Sequence, residues 1–272
     1  MPELPEVETT RRGVEPYVCG VRVSALRIYE SRLRWPVPLD LPRRVDGTHI
    51  VAVRRRAKYL LFQLDSGDTL LLHLGMSGSL RVLPADTPRL KHDHIDLVLE
   101  SGQVLRFNDP RRFGSLHCVS GDESQHPLLQ HLGPEPLEAS FDETHLWRAS
   151  RDRRVAIKVL IMNAAIVVGV GNIYASEALF RAGIRPGRQA KGLSRDEIRK
   201  LVTAIKEVLA MAVRVGGTTL RDYVGADGKP GYFRQELFVY ERASEPCRHC
   251  GDPIRQRVLG QRSTYWCHRC QS

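Results

Sequence analysis

The sequence predicts an α+β protein, because the spacing of its apolar residues changes once along the chain and its cysteines crowd into one end. Up to about residue 120, short β-prone runs alternate with turn residues, the pattern of an N-terminal antiparallel β-sandwich. Beyond Gly133-Pro134-Glu135-Pro136 the apolar residues recur every three to four positions, as helices require. Four of the six cysteines lie between Cys247 and Cys270, too few residues for an ordinary core. These observations divide the chain into residues 1–131, a linker at 132–136, a helical domain at 137–235 and a small unit at 236–272.

The elements follow in order. Pro5 to about Glu15 reads as a helix with Leu4 and Val7 on its inner side, Arg11 and Arg12 exposed, and Pro16 as its stop. Residues 21–28, 50–53, 59–64 and 69–74 are rich in β-formers, and Ser66-Gly67-Asp68 supplies a hairpin turn. Residues 95–99 and 104–107 flank a second turn at Glu100-Ser101-Gly102-Gln103. Helices are expected at 142–149, 153–165, 172–182 and 194–215. The last has a capping box in Ser194 and Glu197, an apolar stripe from Ile198 to Ala212, and Gly216-Gly217 at its end. Residues 217–232 are polar and glycine-bearing, and a loop of that length tends to be functional or disordered.

Composition bounds the partners. The 272 residues carry 41 Lys+Arg against 31 Asp+Glu, a net charge of +10 that favours a polyanion. No apolar run is long enough to span a membrane, and the N-terminus lacks the basic-then-apolar order of a secretory signal, so a cytoplasmic location is expected.

The strongest chemical signal is Cys247-x2-Cys250 followed after sixteen residues by Cys267-x2-Cys270, the spacing of a four-cysteine Zn2+ ribbon rather than a disulfide framework. Four thiolates close the coordination shell, so the zinc is structural. Val258 to Tyr265 forms a hairpin between the ligand pairs and offers Arg262 to a phosphate, unless Arg262 is merely a solvated cation. Gly169-Val170-Gly171-Asn172 opens a helix and leaves backbone N–H groups for a phosphate, although a plain packing turn fits as well. Lys91-His92-Asp93-His94 suits a phosphate or structural role better than a metal. Asp109-Pro110-Arg111-Arg112-Phe113-Gly114 has the composition of a wedge that enters a base stack, or else of a turn whose Phe113 packs inward.

The chain opens Met1-Pro2-Glu3-Leu4-Pro5-Glu6. Once Met1 is removed, Pro2 presents a secondary amine, and terminal amines titrate at about 7.7–8.0 against about 10.4 for lysine, so far more of it is neutral and nucleophilic at pH 7. While Met1 remains, that nitrogen is an amide and cannot attack. Taken alone, such a terminus reads as frayed chain with acidic first-turn residues.

Taken together, the N-terminal Pro2-Glu3-Leu4-Pro5-Glu6, Lys58, His73 to Gly78, Lys91 to His94, Asp109 to Gly114, Gly169 to Tyr174 and the cysteine ribbon resemble the bacterial formamidopyrimidine-DNA glycosylases, in order and over essentially the whole chain. The resemblance implies a helix-two-turn-helix domain between the sandwich and a C-terminal zinc-finger β-hairpin. Its implied substrate is double-stranded DNA with an oxidised purine, 8-oxoguanine or a formamidopyrimidine, opposite cytosine, and action on one asymmetric lesion makes a monomer the simpler expectation. It implies Pro2 as nucleophile, Glu3 as general acid/base, Glu6 as a holder of local geometry, Lys58 as a proton-transfer assistant and Arg262 as an aid to the second elimination. Met76, Arg111 and Phe113 match residues that fill the space of the flipped base. His92, Arg153 and Asn172 match phosphate-gripping positions, with Arg112, Lys158 and Tyr240 as further candidates, and the 217–232 loop matches a cover for the everted base. One departure is Asn163-Ala164, where the family pattern has an acidic residue and an amide, which puts a local turn contact in question. Two rivals remain: an endonuclease VIII-like glycosylase for oxidised pyrimidines, against which Leu4 and the long loop speak, and a zinc-ribbon protein that grips DNA without catalysis.

Overall fold

A computed structural model of the chain describes residues 2–217 and 237–272. Met1 and nearly all of the expected 217–232 cover lie outside the described residues. Among those described, 2–130 with 215–217 form one compact unit, and 131–214 with 237–272 form another.

The first unit opens with α1 (Leu4–Val18), followed by β1 (Val23–Ile28), the short α2 (Leu41–Val45), β2 (Ile50–Arg56), β3 (Tyr59–Leu64), β4 (Asp68–His73), β5 (Ser79–Pro84), β6 (Asp93–Leu99), β7 (Gln103–Asn108) and β8 (Ser115–Ser120). Two four-stranded antiparallel sheets result, ordered β1-β6-β7-β5 and β2-β3-β4-β8. They share one apolar core, in which Val7, Val14 and Val18 of α1 join Leu26, Phe62, Leu70, Ile95, Leu97 and Phe107. The expected hairpin turns form, with the Gly67 amide donating to the Leu64 carbonyl and the Gly102 amide to the Leu99 carbonyl.

Three details depart from expectation. Pro16 does not stop α1, which runs on to Val18. A proline near a helix end removes a single ladder bond, and the helix ends instead where Cys19 turns to extended backbone at ψ 130, just before Gly20 at φ +76. Arg11 is not exposed, because its guanidinium bridges Glu8, Glu15 and the Val53 carbonyl. Strands β5 and β8 lie outside the expected runs, since Arg81 in the one and His117 and Ser120 in the other interrupt their β-forming residues.

The second unit contains α3 (Glu143–Ser150), α4 (Ile157–Ile161), α5 (Asn172–Arg181), α6 (Arg195–Arg214) and a hairpin of β9 (Arg255–Leu259) with β10 (Arg262–Trp266). The capping box before α6 is present in both directions, at 2.7 Å from the Ser194 amide to Glu197 and 3.2 Å from the Glu197 amide to Ser194 Oγ. Its stripe from Ile198 to Ala212 is buried. The expected helix at 153–165 shrinks to α4. At its start the Ile157 amide is captured by the Arg188 carbonyl, and at its end Asn163 Oδ1 accepts the Ala165 amide at 3.0 Å, a side-chain turn that competes with the helix. That contact also answers the doubt at Asn163-Ala164: asparagine makes the turn itself. Gly133 and Pro134 are tied to this same stretch through the Ala164 carbonyl and the Val168 amide. Among the described residues, no helix is long and apolar enough to cross a membrane.

Candidate active site

Pro2, Glu3 and Glu6 are buried at the head of α1. The Glu3 amide donates to Glu6 Oε2 at 2.9 Å, so Glu6 caps the helix and sets the backbone next to Pro2. A side chain at Gly217 would come within 2.9 Å of Glu6 Oε1, so this carboxylate is also closely packed on its far side.

Lys58 sits in the two-residue turn between β2 and β3, where Arg56 pairs with Tyr59. Beside it lies His73 at the end of β4, its ring 4.8 Å from that of Tyr59. Burial, reinforced by the charges of Lys58 and Arg34, pulls the His73 imidazole down to about 4. Its Nδ1 accepts the Gly75 amide at 2.9 Å, which assigns the proton of the neutral ring to Nε2. His73 therefore offers a neutral N–H donor next to a lysine.

Gly75, at φ +69, brings the Met76 loop against the loop after β7. A Cβ there would lie 2.4 Å from the Gly114 nitrogen. The second loop is organised by Asp109, whose fully buried carboxylate accepts Ser77 Oγ at 2.9 Å, the Gly114 amide at 2.8 Å and the Arg111 amide at 3.3 Å. Its own amide donates to the His92 carbonyl, and its carbonyl meets His94 Nε2 at 2.8 Å. His94 is thus a structural residue of this clamp. The loop presents Phe113 42% exposed with the Arg111 guanidinium 4.9 Å from its ring, so Phe113 does not pack inward. Met76 is partly buried, and Arg112, at φ +54, pairs with Glu30 at 3.3 Å. Buried charges fix the approach to His92. Arg106 binds Asp96 through two bonds of 2.9 Å and the carbonyls of Thr87 and Pro88, and Asp93 accepts the Leu90 amide at 2.7 Å.

In the second unit Arg153 and Arg262 line one pocket of about 440 Å³ floored by Val155, Val159 and Met162. Lys158 is fully buried, and its ammonium donates to Asn172 Oδ1 at 2.7 Å, Thr264 Oγ1 at 2.9 Å and the Ser263 carbonyl at 3.1 Å. Asn172 Nδ2 donates to the same Ser263 carbonyl at 3.0 Å, and Thr264 Oγ1 donates on to the Arg262 carbonyl at 3.1 Å. Lys158 and Asn172 thus act first as struts that hold the strand carrying Arg262. Tyr240 packs edge-on against Tyr265, and its amide is one of three, with those of Phe238 and Val239, that converge on the buried Glu177 carboxylate.

The four cysteine sulfurs all lie within 4.8 Å of one another, with Cys250 and Cys267 at 3.4 Å and Cys247 and Cys270 at 3.9 Å. Tetrahedral zinc with bonds of about 2.3 Å places its sulfurs about 3.8 Å apart, so the donor set fits.

Sequence reasoning passed over His73, Asp109 and Glu177 as site-building residues. His73 and Asp109 lie inside recognisable motifs, but only folding pairs the one with Tyr59, next to Lys58, and lets the other clamp the Phe113 loop. Nothing local distinguishes Glu177, whose amide partners lie 61 to 63 residues away.

Comparison with known proteins completes the picture. Residues 1–116 match the model of the formamidopyrimidine-DNA glycosylase N-terminal domain, residues 132–224 that of its H2TH domain, and residues 244–272 that of a zinc finger found in FPG and IleRS. The formamidopyrimidine-DNA glycosylases of Stutzerimonas stutzeri and Thioalkalivibrio sulfidiphilus are 58% and 59% identical to it, over 100% of both chains. The MutM (Fpg) protein of Thermus thermophilus superposes with a TM-score of 0.90 at 41% identity, covering 99% of this chain and 98% of that one. A Lactococcus lactis Fpg in complex with abasic-site DNA superposes at 0.92 and 33% identity, covering 99% of each. The chain belongs to the formamidopyrimidine-DNA glycosylase family.

Proposed function

We propose that the chain is a bifunctional DNA glycosylase and abasic-site lyase of base excision repair, acting as a cytoplasmic, nucleoid-associated monomer on 8-oxoguanine and formamidopyrimidines in duplex DNA. The observation that carries this reading is the buried Pro2-Glu3 pair at the head of a capped helix, in a chain that matches the family from end to end.

A base within the stack shields its sugar, so the lesion has to be everted, and Met76, Arg111 and Phe113 occupy the vacated space. Phe113 is suited to wedge between bases, and the Arg111 guanidinium to hydrogen-bond the unpaired cytosine. With Met1 removed, the Pro2 nitrogen attacks C1′ as the base departs and the sugar ring opens, giving an iminium. Glu3 exchanges protons with the opening sugar, while Glu6 holds the backbone that aims Pro2. The iminium acidifies the C2′ proton, so the 3′ phosphate and then the 5′ phosphate are eliminated, with Lys58 assisting and Arg262 holding the second phosphate. His92, Arg153 and Arg112 grip further phosphates, and Asn172, Lys158 and Tyr240 support that surface. The zinc, when bound, cross-links the finger and takes no part in bond breaking.

The test compares matched duplexes containing 8-oxoguanine or thymine glycol, using protein whose mass shows Met1 removed. Faster release of 8-oxoguanine, with phosphate left at both ends of the gap, is expected. Faster cleavage of thymine glycol would assign the chain to oxidised pyrimidines, and binding without cleavage would make it a non-catalytic DNA-binding protein.

A further inference from the structure

Helix α1, which Pro2 and Glu3 immediately precede, and the turn that carries Lys58 belong to different parts of the sandwich, and the structure joins them through charge. Glu8, the next acidic residue of α1 after Glu6, is largely buried, as is Arg55 of β2, each side chain being 13% exposed. Glu8 Oε2 accepts Arg55 Nε at 3.1 Å, while its carboxylate also takes Arg11 at 3.1 Å and Arg12 at 2.9 Å. Arg55 then spends its other arm on the turn, with Nη1 donating to the Ala57 carbonyl at 2.9 Å. Ala57 is the first residue of that two-residue turn and stands at φ +54, a strained conformation for a residue with a Cβ that persists only where surrounding contacts hold it. The bonded carbonyl is the one that begins the peptide unit of Lys58. A second tie runs in parallel, from Arg11 Nη1 to the Val53 carbonyl of the same strand at 3.2 Å.

We propose that Glu8 and Arg55 are positioning residues that fix the Lys58 turn to the helix bearing the nucleophile. The inference rests on the catalytic roles proposed above for Pro2 and Lys58. A guanidinium is required because it alone spans a carboxylate and a carbonyl in a rigid fork; lysine supplies the charge without the second arm. The consequence is kinetic. Misplacing a catalytic group by about 1 Å costs up to about a hundredfold in rate.

The experiment is a double-mutant cycle on single-turnover strand cleavage at saturating 8-oxoguanine duplex, with Kd measured alongside. Arg55→Met is expected to slow cleavage by about ten- to a hundredfold while Kd stays within about twofold, and to have no further effect in a Lys58→Ala background. Glu8→Gln, which keeps the shape of the side chain, should reproduce a smaller loss, and Arg55→Lys should fail to restore the rate. An equal fractional loss from Arg55→Met with and without Lys58 would overturn the relay while leaving Lys58 in its role. A Lys58→Ala chain that cuts at the wild-type rate would remove Lys58 from the reaction and the relay with it. Should Arg55→Met prove unfolded by circular dichroism, the Glu8→Gln arm of the cycle decides by the same comparison.

Discussion

In the sandwich, His92, Arg111 and Phe113 ride on loops tied to buried carboxylates above a continuous apolar core drawn from both sheets and α1. The hairpin that carries Arg262 stands on a far smaller cluster, in which Phe180, Val239, Ile254 and Tyr265 share the interior with the cysteines themselves. The first region can lose a contact and stay folded, because hydrophobic burial supplies most of its stability. The second depends on a metal and on one buried ammonium. Candidate DNA-contacting side chains are thus held by two different physical devices, and each fails in its own way.

Removing zinc is the sharpest way to separate them. Chelation, or Cys267→Ala, should abolish strand cleavage and expose the amides of 255–266 to hydrogen exchange, while those of the sandwich strands keep their protection. Equal loss of protection in the sandwich would dissolve the contrast. Next in size is Asp109→Ala. It removes a fully buried carboxylate, leaves three donors without their acceptor and should cost about 3 kcal/mol in denaturant unfolding, together with loss of discrimination for cytosine opposite the lesion. Lys158→Met leaves Asn172, Ser263 and Thr264 without their shared donor and should cost about 2 kcal/mol. Because Thr264 passes that contact to Arg262, its cleavage defect should not add to that of Arg262→Ala.

The smallest effect concerns pH. His73 is held near 4, below its ordinary 6.5, so the unfolded chain binds the proton more readily than the folded one. Its contribution to stability is complete above about 6.5 and is lost as pH falls from there through about 4. NMR titration should find the His73 ring neutral at pH 5.5, and a ring that titrates near 6.5 would show that Lys58 and burial do not act on it as described.

Much of this was legible in the sequence, for reasons that can be named. The capping box and stripe of α6, the hairpin turns at Gly67 and Gly102 and the four-cysteine site depend on local spacing, which a single sequence displays. The short α4 was not legible. Its termini are set by carbonyls from residues 186 and 188 and by a side-chain turn at Asn163, two of them distant in sequence. The burial of Lys158, a candidate phosphate contact by resemblance, was not legible either, because nothing local shows that Asn172 and Thr264 close around it. The link from Arg55 to the helix was hidden for the same reason, since its partner Glu8 lies 47 residues away.

The measurement that bears most directly on the account is borohydride reduction of the Met1-free protein mixed with 8-oxoguanine duplex, followed by peptide mapping of the cross-link. The account predicts one adduct, on the nitrogen of Pro2. An adduct on Lys58 or another lysine, or none while the strand is still cut, would contradict it.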